Sequence, residues 1–259
     1  MIRGTHHGLA AITTHRYPLS ACARSGPHVP TVARLLSERV TAGMAASVKP
    51  AIRLARQAHL PVRLTEFNSV TCGGTRGVSN TFATALWAPD ALLELIHAGV
   101  RSAALHVRDS TINMAFSLTN RGLVAFPLLY GLTTYARTLG TDPQLLPARV
   151  RATPGADLKA WAVLDGKQLH ILLINKRRSA TRVSLTLPAI GPASVQRLTA
   201  PSPSATKAVT LDGQSLNAQA QWSGRASSET VTPSGGAYAV YVPATSAAIV
   251  IAAARPGTT

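Results

Sequence analysis

The sequence is poor in acidic residues. Its 259 residues include 10 Asp and Glu against 26 Lys and Arg, which gives a formal net charge of +16. Such an imbalance favours an anionic partner such as a nucleic acid, a membrane surface or an acidic sugar. The basic residues are spread singly, however, and their one tight cluster, residues 176–178, follows a strand-like run and resembles a hairpin turn. We therefore expect a solvated, Arg-rich surface and no nucleic-acid partner.

Cysteine is also scarce, and several well-known catalytic motifs are absent. Two cysteines, Cys22 and Cys72, are too few for a Cys-rich zinc module and leave room for one disulfide. The sequence has no GxSxG elbow, GxxxxGK[ST] loop, HExxH or CxxC motif, so serine-hydrolase, P-loop, zincin and dithiol-redox functions lose their usual support. We expect no metal and no cofactor.

Long apolar runs are missing as well. No uninterrupted stretch reaches the roughly 18 apolar residues of a bilayer span, and we expect no transmembrane segment. The first 18 residues contain no apolar segment of signal-peptide length. The cellular compartment stays unknown, because it depends on whether Met1 is the true start. With 46% apolar residues, the chain can still bury a sizeable core in one or two domains.

Two textures divide the chain near residue 147. In residues 1–146, short apolar runs at 8–14, 62–66 and 102–107 are each followed by helical patterns, which predicts strand-helix units and a parallel sheet. In residues 147–259, short β-branched runs alternate with turn residues, which predicts an antiparallel β-sandwich. The expected fold class is therefore α/β followed by all-β.

The predicted helices and turns carry local signals. A long helix should begin at Ser79 or Asn80, kink or restart at Pro89 and end at Gly99. Another should begin at Pro127, while Asp165-Gly166 predicts a hairpin turn.

One carboxylate differs from the others. Glu66 closes an apolar strand and precedes a loop with Asn68 and the pair Gly73-Gly74, which is where α/β barrels place catalytic side chains. His15 and Tyr17 follow the first predicted strand, and His106 lies at the end of the third. These strand ends should meet on one rim. A solvated strand-end glutamate and ordinary rim histidines remain the alternative at this point.

Longer segments resemble a known family. The blocks LTEFNS at 64–69, GG at 73–74, VSNTFA at 78–83 and ALW at 85–87 are similar to glycoside hydrolase family 79, which includes β-glucuronidases and heparanase. The resemblance covers nearly the whole chain, with further similar segments HRYPL at 15–19, PLLYGL at 127–132, LLINK at 172–176, RLTAP at 197–201 and VTLDG at 209–213.

The resemblance implies a fold and a reaction. The family fold is a (β/α)8 barrel with a C-terminal β-sandwich, so residues 1–146 would hold the last three strand-helix units and residues 147–259 the sandwich. The family hydrolyses glycosides of uronic acids with retention, using two carboxylates about 5–5.5 Å apart. Glu66 is implied as the nucleophile, with Tyr17 as its hydrogen-bonding neighbour. The implied substrate-binding residues are His15, Asn68, Gly73, Gly74 and His106.

The sequence also departs from the family. The acid/base glutamate ends the fourth barrel strand, upstream of the part that this chain resembles, so we expect the chain to be inactive alone. The loop at 109–114 lacks an expected tyrosine near the sugar carboxylate, and Asn80 replaces a common Asp. Cys22 and Cys72 follow neighbouring barrel strands on the same rim, which suits a disulfide and an exporting lineage.

Three hypotheses remain open at this stage. The chain is the C-terminal part of a larger glycosidase whose N-terminal half is missing from this reading frame. Alternatively, it is a short non-catalytic protein whose β-sandwich binds carbohydrate or serves as a scaffold. In the third hypothesis, a separately encoded N-terminal half-barrel completes the site.

Overall fold

The computed structural model describes residues 8–108, 111–148 and 158–258. In the first part of the chain, strands alternate with helices, and a 3-10 turn at Glu38–Val40 separates the first two helices. The elements are β1 (Ile12–Arg16), β2 (Leu19–Ser20), α1 (Val32–Leu35), α2 (Ala42–Ser47), α3 (Lys49–Gln57), β3 (Val62–Phe67), β4 (Val70–Thr71), α4 (Phe82–Ala98), β5 (Val100–Leu105), β6 (Phe116–Thr119), β7 (Gly122–Ala125), α5 (Pro127–Leu139) and β8 (Pro143–Leu146).

The second part consists of strands. They are β9 (Leu158–Asp165), β10 (Gln168–Asn175), β11 (Thr181–Leu185), β12 (Ala189–Thr199), β13 (Thr210–Leu211), β14 (Ser215–Leu216), β15 (Trp222–Ser223), β16 (Glu229–Val231), β17 (Tyr238–Val242) and β18 (Ser246–Ala254). The change from mixed helix and strand to strand alone agrees with the two textures of the sequence.

The first part is organised by a three-stranded parallel sheet in the order β1-β3-β5. Val62, Leu64 and Phe67 of the central strand are buried against the helices, whereas Arg63 and Thr65 on the other face are exposed. The period-2 alternation over residues 62–65 gives the sheet one apolar face and one polar face, and it ends at the irregularity between Leu64 and Phe67. The two outer strands, β1 and β5, are edges within the described residues.

The predicted end of α4 and the predicted start of α5 are both found in the structure. Gly99 ends the helix in the left-handed conformation at φ 105°, and Pro127 opens α5. Pro89 lies inside a helix that continues from Phe82 to Ala98, so the expected restart does not occur. Of the helices that the structure describes, none is long and apolar enough to cross a bilayer.

The start of α4 differs from the prediction. Ser79 and Asn80 do not cap the helix, because their side chains accept hydrogen bonds from the loop amides of Thr75 and Gly77. The first amides of the helix, those of Phe82 and Ala83, instead donate to the carbonyls of residues 205 and 203 in the second part of the chain. A distant loop therefore replaces the local cap that the sequence suggested.

α4 and α5 pack unusually closely at one glycine. A Cβ added to Gly131 would lie 2.5 Å from the carbonyl oxygen of Ala85, so no larger residue fits there without moving the backbone. Pro89 cannot donate to that carbonyl, which is four residues earlier. The close approach thus occurs where the helix lacks one of its own hydrogen bonds.

The second part is dominated by a seven-stranded antiparallel sheet. Its order is β13-β12-β18-β10-β9-β8, and β16 also pairs with β12. The predicted Asp165-Gly166 turn joins β9 to β10. The pair β11-β17 packs on one face of this sheet through Val240 and Val242, which share a core with Leu169 and Ile171. The result is the two β layers that a sandwich requires.

The boundary between the two parts is less simple than residues 146 and 147 suggest. β8, at Pro143–Leu146, pairs with β9 and so belongs to the antiparallel sheet rather than to the strand-helix units. Residues 149–157, which follow the predicted boundary, lie outside the described residues. The hairpin β6-β7 has no strong sequence signal, since its turn residues Asn120-Arg121 lack the usual glycine.

The other face of the seven-stranded sheet packs on the helices. Leu172 and Ile249 of the sheet form one buried cluster with Phe82 and Leu86 of α4 and Tyr130 of α5. The two parts therefore share an apolar core. Each would expose a large apolar surface without the other.

A group of charges with the buried pair Lys176–Asp90 at its centre crosses the same interface. The Lys176 ammonium lies 2.7 Å from Asp90 Oδ2 and 2.7 Å from Glu38 Oε1, and Trp161 donates to Asp90 Oδ1 at 2.9 Å. Lys159 pairs with Glu38 and Glu94. The Lys176 side chain is 4% exposed, so the solvated turn that we expected at this position is wrong for Lys176. Acidic partners from α4 and the 3-10 turn account for its burial.

We predict that Asp90→Ala lowers the free energy of unfolding by about 3–5 kcal/mol, because it leaves a buried ammonium short of its partner. Urea unfolding followed by circular dichroism measures this change. Glu229→Ala is the matched control, since it breaks a more exposed pair with Arg197 and should cost at most about 1 kcal/mol. Equal losses in the two variants would contradict the buried interface pair.

Candidate active site

Glu66 stands near the carboxyl end of the central parallel strand. Its neighbour across the sheet is His15 on β1, after a register shift between Thr14 and His15. A second irregularity separates Leu64 and Phe67 in the pairing of β3 with β5. Such irregularities re-aim side chains at the end of a strand. The Glu66 side chain is 33% exposed and is therefore accessible from solvent.

Three side chains from neighbouring strand ends surround the Glu66 carboxylate. The Tyr17 hydroxyl lies 2.6 Å from Glu66 Oε1 and 2.9 Å from His106 Nδ1. His106 Nδ1 is 3.6 Å from Oε1, and His15 Nδ1 is 3.3 Å from Oε2. Both carboxylate oxygens thus face polar groups, and the strand ends that the sequence predicted to meet do meet.

The electrostatics favour a charged carboxylate beside a neutral phenol. The hydrogen bond from Tyr17 lowers the pKa of Glu66 and outweighs the opposing effect of burial, and the charges of His106 and His15 lower it further. Burial, followed by the hydrogen bond and negative charge of Glu66, raises the pKa of Tyr17. Glu66 is therefore ionised near neutral pH, as a carboxylate nucleophile must be.

Asn68, which the resemblance implied as a substrate-binding residue, makes hydrogen bonds within the protein. The residue is fully buried, and its Nδ2 donates to the main-chain carbonyls of His106 and Asn113. Its Oδ1 accepts from the amide of Ser69. Through these bonds Asn68 ties the end of β3 to the segment after β5.

Asn113 is a supporting residue that the sequence analysis did not single out. It is 4% exposed and donates from Nδ2 to the carbonyl of Val70. Its contacts with Asn68 and Val70 join segments that are more than forty residues apart. The sequence signal was weak, because the loop at 109–114 was noted only for lacking a tyrosine.

The glycine loop after β4 has an unusual backbone. Cys72, Gly73 and Gly74 have φ values of 58°, 81° and 85°, a region that glycine enters without steric cost. A Cβ on Gly74 would lie 3.1 Å from Ser79 Oγ and 3.2 Å from the amide nitrogen of Asn113. Gly73 has open space around its Cα. The loop is therefore tightly packed against Ser79 and Asn113 at Gly74, whereas Gly73 has room for a neighbouring group.

A disulfide and a short parallel pair fix the loops of this rim. Cys22 and Cys72 are bonded, with their Cα atoms 6.0 Å apart. β2 and β4 pair in parallel just before the two cysteines. The loops after β1 and β3 are thus joined by both main-chain hydrogen bonds and a covalent bond. Within the described ranges, no three His, Cys, Asp or Glu side chains converge as a metal site would require.

Residues 160–249 of the antiparallel part match a known family model. The model is described as "Glycosyl hydrolase family 79 C-terminal beta domain". The chain is therefore glycoside hydrolase-like. The resemblance to family 79 that the sequence suggested is confirmed over the matched residues. No curated protein matches the chain.

Solved structures of similar fold carry the names of glycosidases. A 4-O-α-L-rhamnosyl-β-D-glucuronidase from Fusarium oxysporum 12S, in complex with Rha-GlcA, is 21% identical with a TM-score of 0.78, over 93% of this chain and 52% of that one. A family 44 xyloglucanase from Paenibacillus polymyxa is 13% identical with a TM-score of 0.61, over 95% and 47%. A bifunctional glucanase-xylanase from a metagenome library is 18% identical with a TM-score of 0.58, over 95% and 44%.

These likenesses show a shared fold. The chain spans about half the length of the structures that it matches. The activities in their names belong to those longer proteins.

We predict that Tyr17→Phe raises the pKa of Glu66, because it removes the hydrogen bond that most stabilises the carboxylate. The measurement is a ¹³C NMR titration of labelled glutamate, in which Glu66→Gln assigns the signal. Tyr241→Phe is the control, since Tyr241 lies on β17 in the second part of the chain. An unchanged titration of Glu66 in Tyr17→Phe would contradict the hydrogen bond.

We also predict that native protein has no reactive thiol and that reduction under denaturing conditions releases both cysteines. Replacing both with serine should lower the free energy of unfolding by about 2–4 kcal/mol, because the bond closes a long loop in the unfolded chain. Thiol titration and urea unfolding measure the two effects. Thiols that react in the native state would refute the bond.

Proposed function

We propose that this chain carries the nucleophile half of a retaining glycoside hydrolase that acts on glycosides of uronic acids. The observation that carries the proposal is the Glu66 carboxylate, which is held at a strand end by the Tyr17 hydroxyl at 2.6 Å. An ionised, oriented and accessible carboxylate is what the first step of such a reaction requires.

In the proposed reaction, an oxygen of Glu66 attacks the anomeric carbon of the sugar. The bond from that carbon to the leaving oxygen breaks, and a second carboxylic acid gives its proton to the leaving oxygen. Water, activated by the same second group, then hydrolyses the glycosyl ester and restores the Glu66 carboxylate. Tyr17 orients the carboxylate and keeps it charged before the attack.

The second carboxylate is proposed to come from a part of the polypeptide outside these 259 residues or from a separate chain. The remaining glutamates are engaged elsewhere, since Glu38 and Glu94 bind Lys159 at the interface and Glu229 binds Arg197 on the antiparallel sheet. We therefore propose that the 259-residue chain does not turn over substrate alone.

The edges of the parallel sheet support the same proposal. β1 and β5 each have one side without a partner strand in the described sheet. Exposed strand edges of this kind pair with further strands. Additional strand-helix units, on a longer form of this polypeptide or on a separately encoded half-barrel, would cover them and enclose the polar face that carries Arg63 and Thr65.

A uronic-acid substrate is supported by charge. The chain carries a net charge of +16, and the rim loops contain Arg76 beside the glycine loop and Arg108 just after His106. One of the structures with a similar fold is named as a β-D-glucuronidase, which also supports a uronic-acid substrate. Positive rim loops would raise the local concentration of an anionic sugar.

A separate role for the β half as a free-standing module has less support. Its sheet buries Leu172 and Ile249 against Phe82 and Leu86 of α4, and Lys176 depends on Asp90 for its buried partner. Without the helices, the sheet would expose this apolar face and an unpaired charge.

The proposal is tested with two compounds, of which only one needs a general acid to protonate its leaving group. We predict that the chain does not turn over a chromogenic β-glucuronide. A 2-deoxy-2-fluoro-glucuronyl fluoride should nevertheless label Glu66 once per chain, because fluoride leaves without a proton and the fluorinated intermediate hydrolyses slowly. Mass spectrometry of peptides locates the label.

Glu66→Gln should lose the label, whereas Glu229→Gln should keep it as the matched control. Failure of the unsubstituted chain to be labelled, or labelling that persists in Glu66→Gln, would count against Glu66 as the nucleophile. Turnover by the chain alone that Glu66→Gln abolishes would show that no second polypeptide is needed.

A further inference from the structure

His106 occupies a fixed place beside the Tyr17 hydroxyl. Its main-chain amide donates to the carbonyl of Phe67 at 2.9 Å, and its main-chain carbonyl accepts from Asn68 Nδ2 at 2.9 Å. The residue is thus held between the end of β3 and the buried amide of Asn68. Its ring is 48% exposed, and Nδ1 points at the Tyr17 oxygen at 2.9 Å.

A count of protons decides how these groups can bond. The Tyr17 hydroxyl has one proton, the ionised Glu66 carboxylate has none, and a neutral imidazole carries a proton on only one of its two nitrogens. Tyr17 lies between Glu66 Oε1 at 2.6 Å and His106 Nδ1 at 2.9 Å. If Tyr17 donated to His106, its oxygen and Glu66 Oε1 would be in contact with no proton between them, which two acceptors avoid.

We propose that His106 is a positioning residue that donates from Nδ1–H to the Tyr17 oxygen and thereby directs the single Tyr17 proton to Glu66 Oε1. The inference rests on the proposed function, in which Glu66 is the nucleophile. It specifies the tautomer of His106: the neutral ring carries its proton on Nδ1 and leaves Nε2 unprotonated. A protonated ring makes the same donation.

This role follows from cooperativity in hydrogen-bonded chains. A donor to the Tyr17 oxygen polarises the phenol and strengthens its hydrogen bond to the carboxylate. The hydrogen bonds that link His106, Tyr17 and Glu66 also fix the position of Oε1. The carboxylate is therefore held in one orientation. His15 acts differently, because its Nδ1 is 3.3 Å from Oε2 and contacts Glu66 without an intermediate.

The first test reads the tautomer of His106 in the 259-residue chain. A long-range ¹H–¹⁵N correlation spectrum, recorded at a pH where the rings are neutral, separates the two tautomers, and His106→Asn assigns the signals. His28 is an internal reference, because its Nδ1 lies 2.9 Å from the Pro18 carbonyl, which can only accept. We expect His106 to show the same Nδ1-protonated pattern as His28. A ring protonated at Nε2 would overturn the inference.

The second test asks whether His106 acts through Tyr17. The groups facing the Glu66 carboxylate are Tyr17, His15 and His106, and the readout is the titration of Glu66 by ¹³C NMR. His106→Leu removes both the donor and the positive charge and should raise the pKa of Glu66. His106→Asn keeps an amide donor without a charge and should retain part of the effect.

The double variant separates the donor from the charge. In a Tyr17→Phe background, the phenol is absent and only the charge of His106 remains to be lost. We expect the shift caused by His106→Leu to be at least twofold smaller there than in the Tyr17 background, whereas the shift caused by His15→Leu should be equal in both. Equal shifts for His106→Leu in the two backgrounds would overturn the inference.

These measurements require no turnover, so they fail or succeed separately from the proposed function. Labelling of Glu66 by the fluoro sugar together with an Nε2–H tautomer would overturn the role of His106 and leave the nucleophile in place. If His106→Leu does not fold, as judged by circular dichroism, the tautomer in the unsubstituted chain decides alone.

Discussion

The packing of the seven-stranded sheet on α4 and α5 is the contact on which the rest of the structure depends. It buries Leu172 and Ile249 against Phe82 and Leu86, and the Asp90–Lys176 pair lies within the same interface. The interface also supplies the carbonyls that satisfy the first amides of α4. Because α4 follows the glycine loop directly, the position of the sheet fixes one wall of the candidate site.

Local chemistry made much of this arrangement predictable. Gly99 and Pro127 mark helix ends because their backbone preferences act over a few residues, and Asp165-Gly166 marks a turn for the same reason. The meeting of Tyr17 and Glu66 was predictable because parallel strands place their carboxyl ends at one edge of a sheet. Each of these predictions needed only the spacing of apolar residues, the positions of Gly and Pro, and the direction of the strands.

Features that depend on distant partners were not predictable. Lys176 resembled a solvated turn residue because the sequence does not show that Asp90 faces it across an interface. The bonds of Asn68 to the carbonyls of His106 and Asn113 were not predictable, because these acceptors lie about forty residues away in the sequence. Ser79 looked like a helix cap for the same reason, since the carbonyls that replace it belong to the second part of the chain.

The position of β3 in the sheet explains why, in the proposed reaction, this chain supplies the surroundings of Glu66 but not a second carboxylate. Glu66 lies on the central strand, so His15 at the end of β1, Tyr17 just after it and His106 just after β5 surround the carboxylate from both sides. These residues of this chain set its charge and orientation. On the proposed function, a second carboxylate about 5–5.5 Å away would approach from the open polar face of the sheet, because the helices fill the other face. On the proposed function, the chain therefore prepares the nucleophile and depends on the strands that complete the sheet to protonate the leaving group.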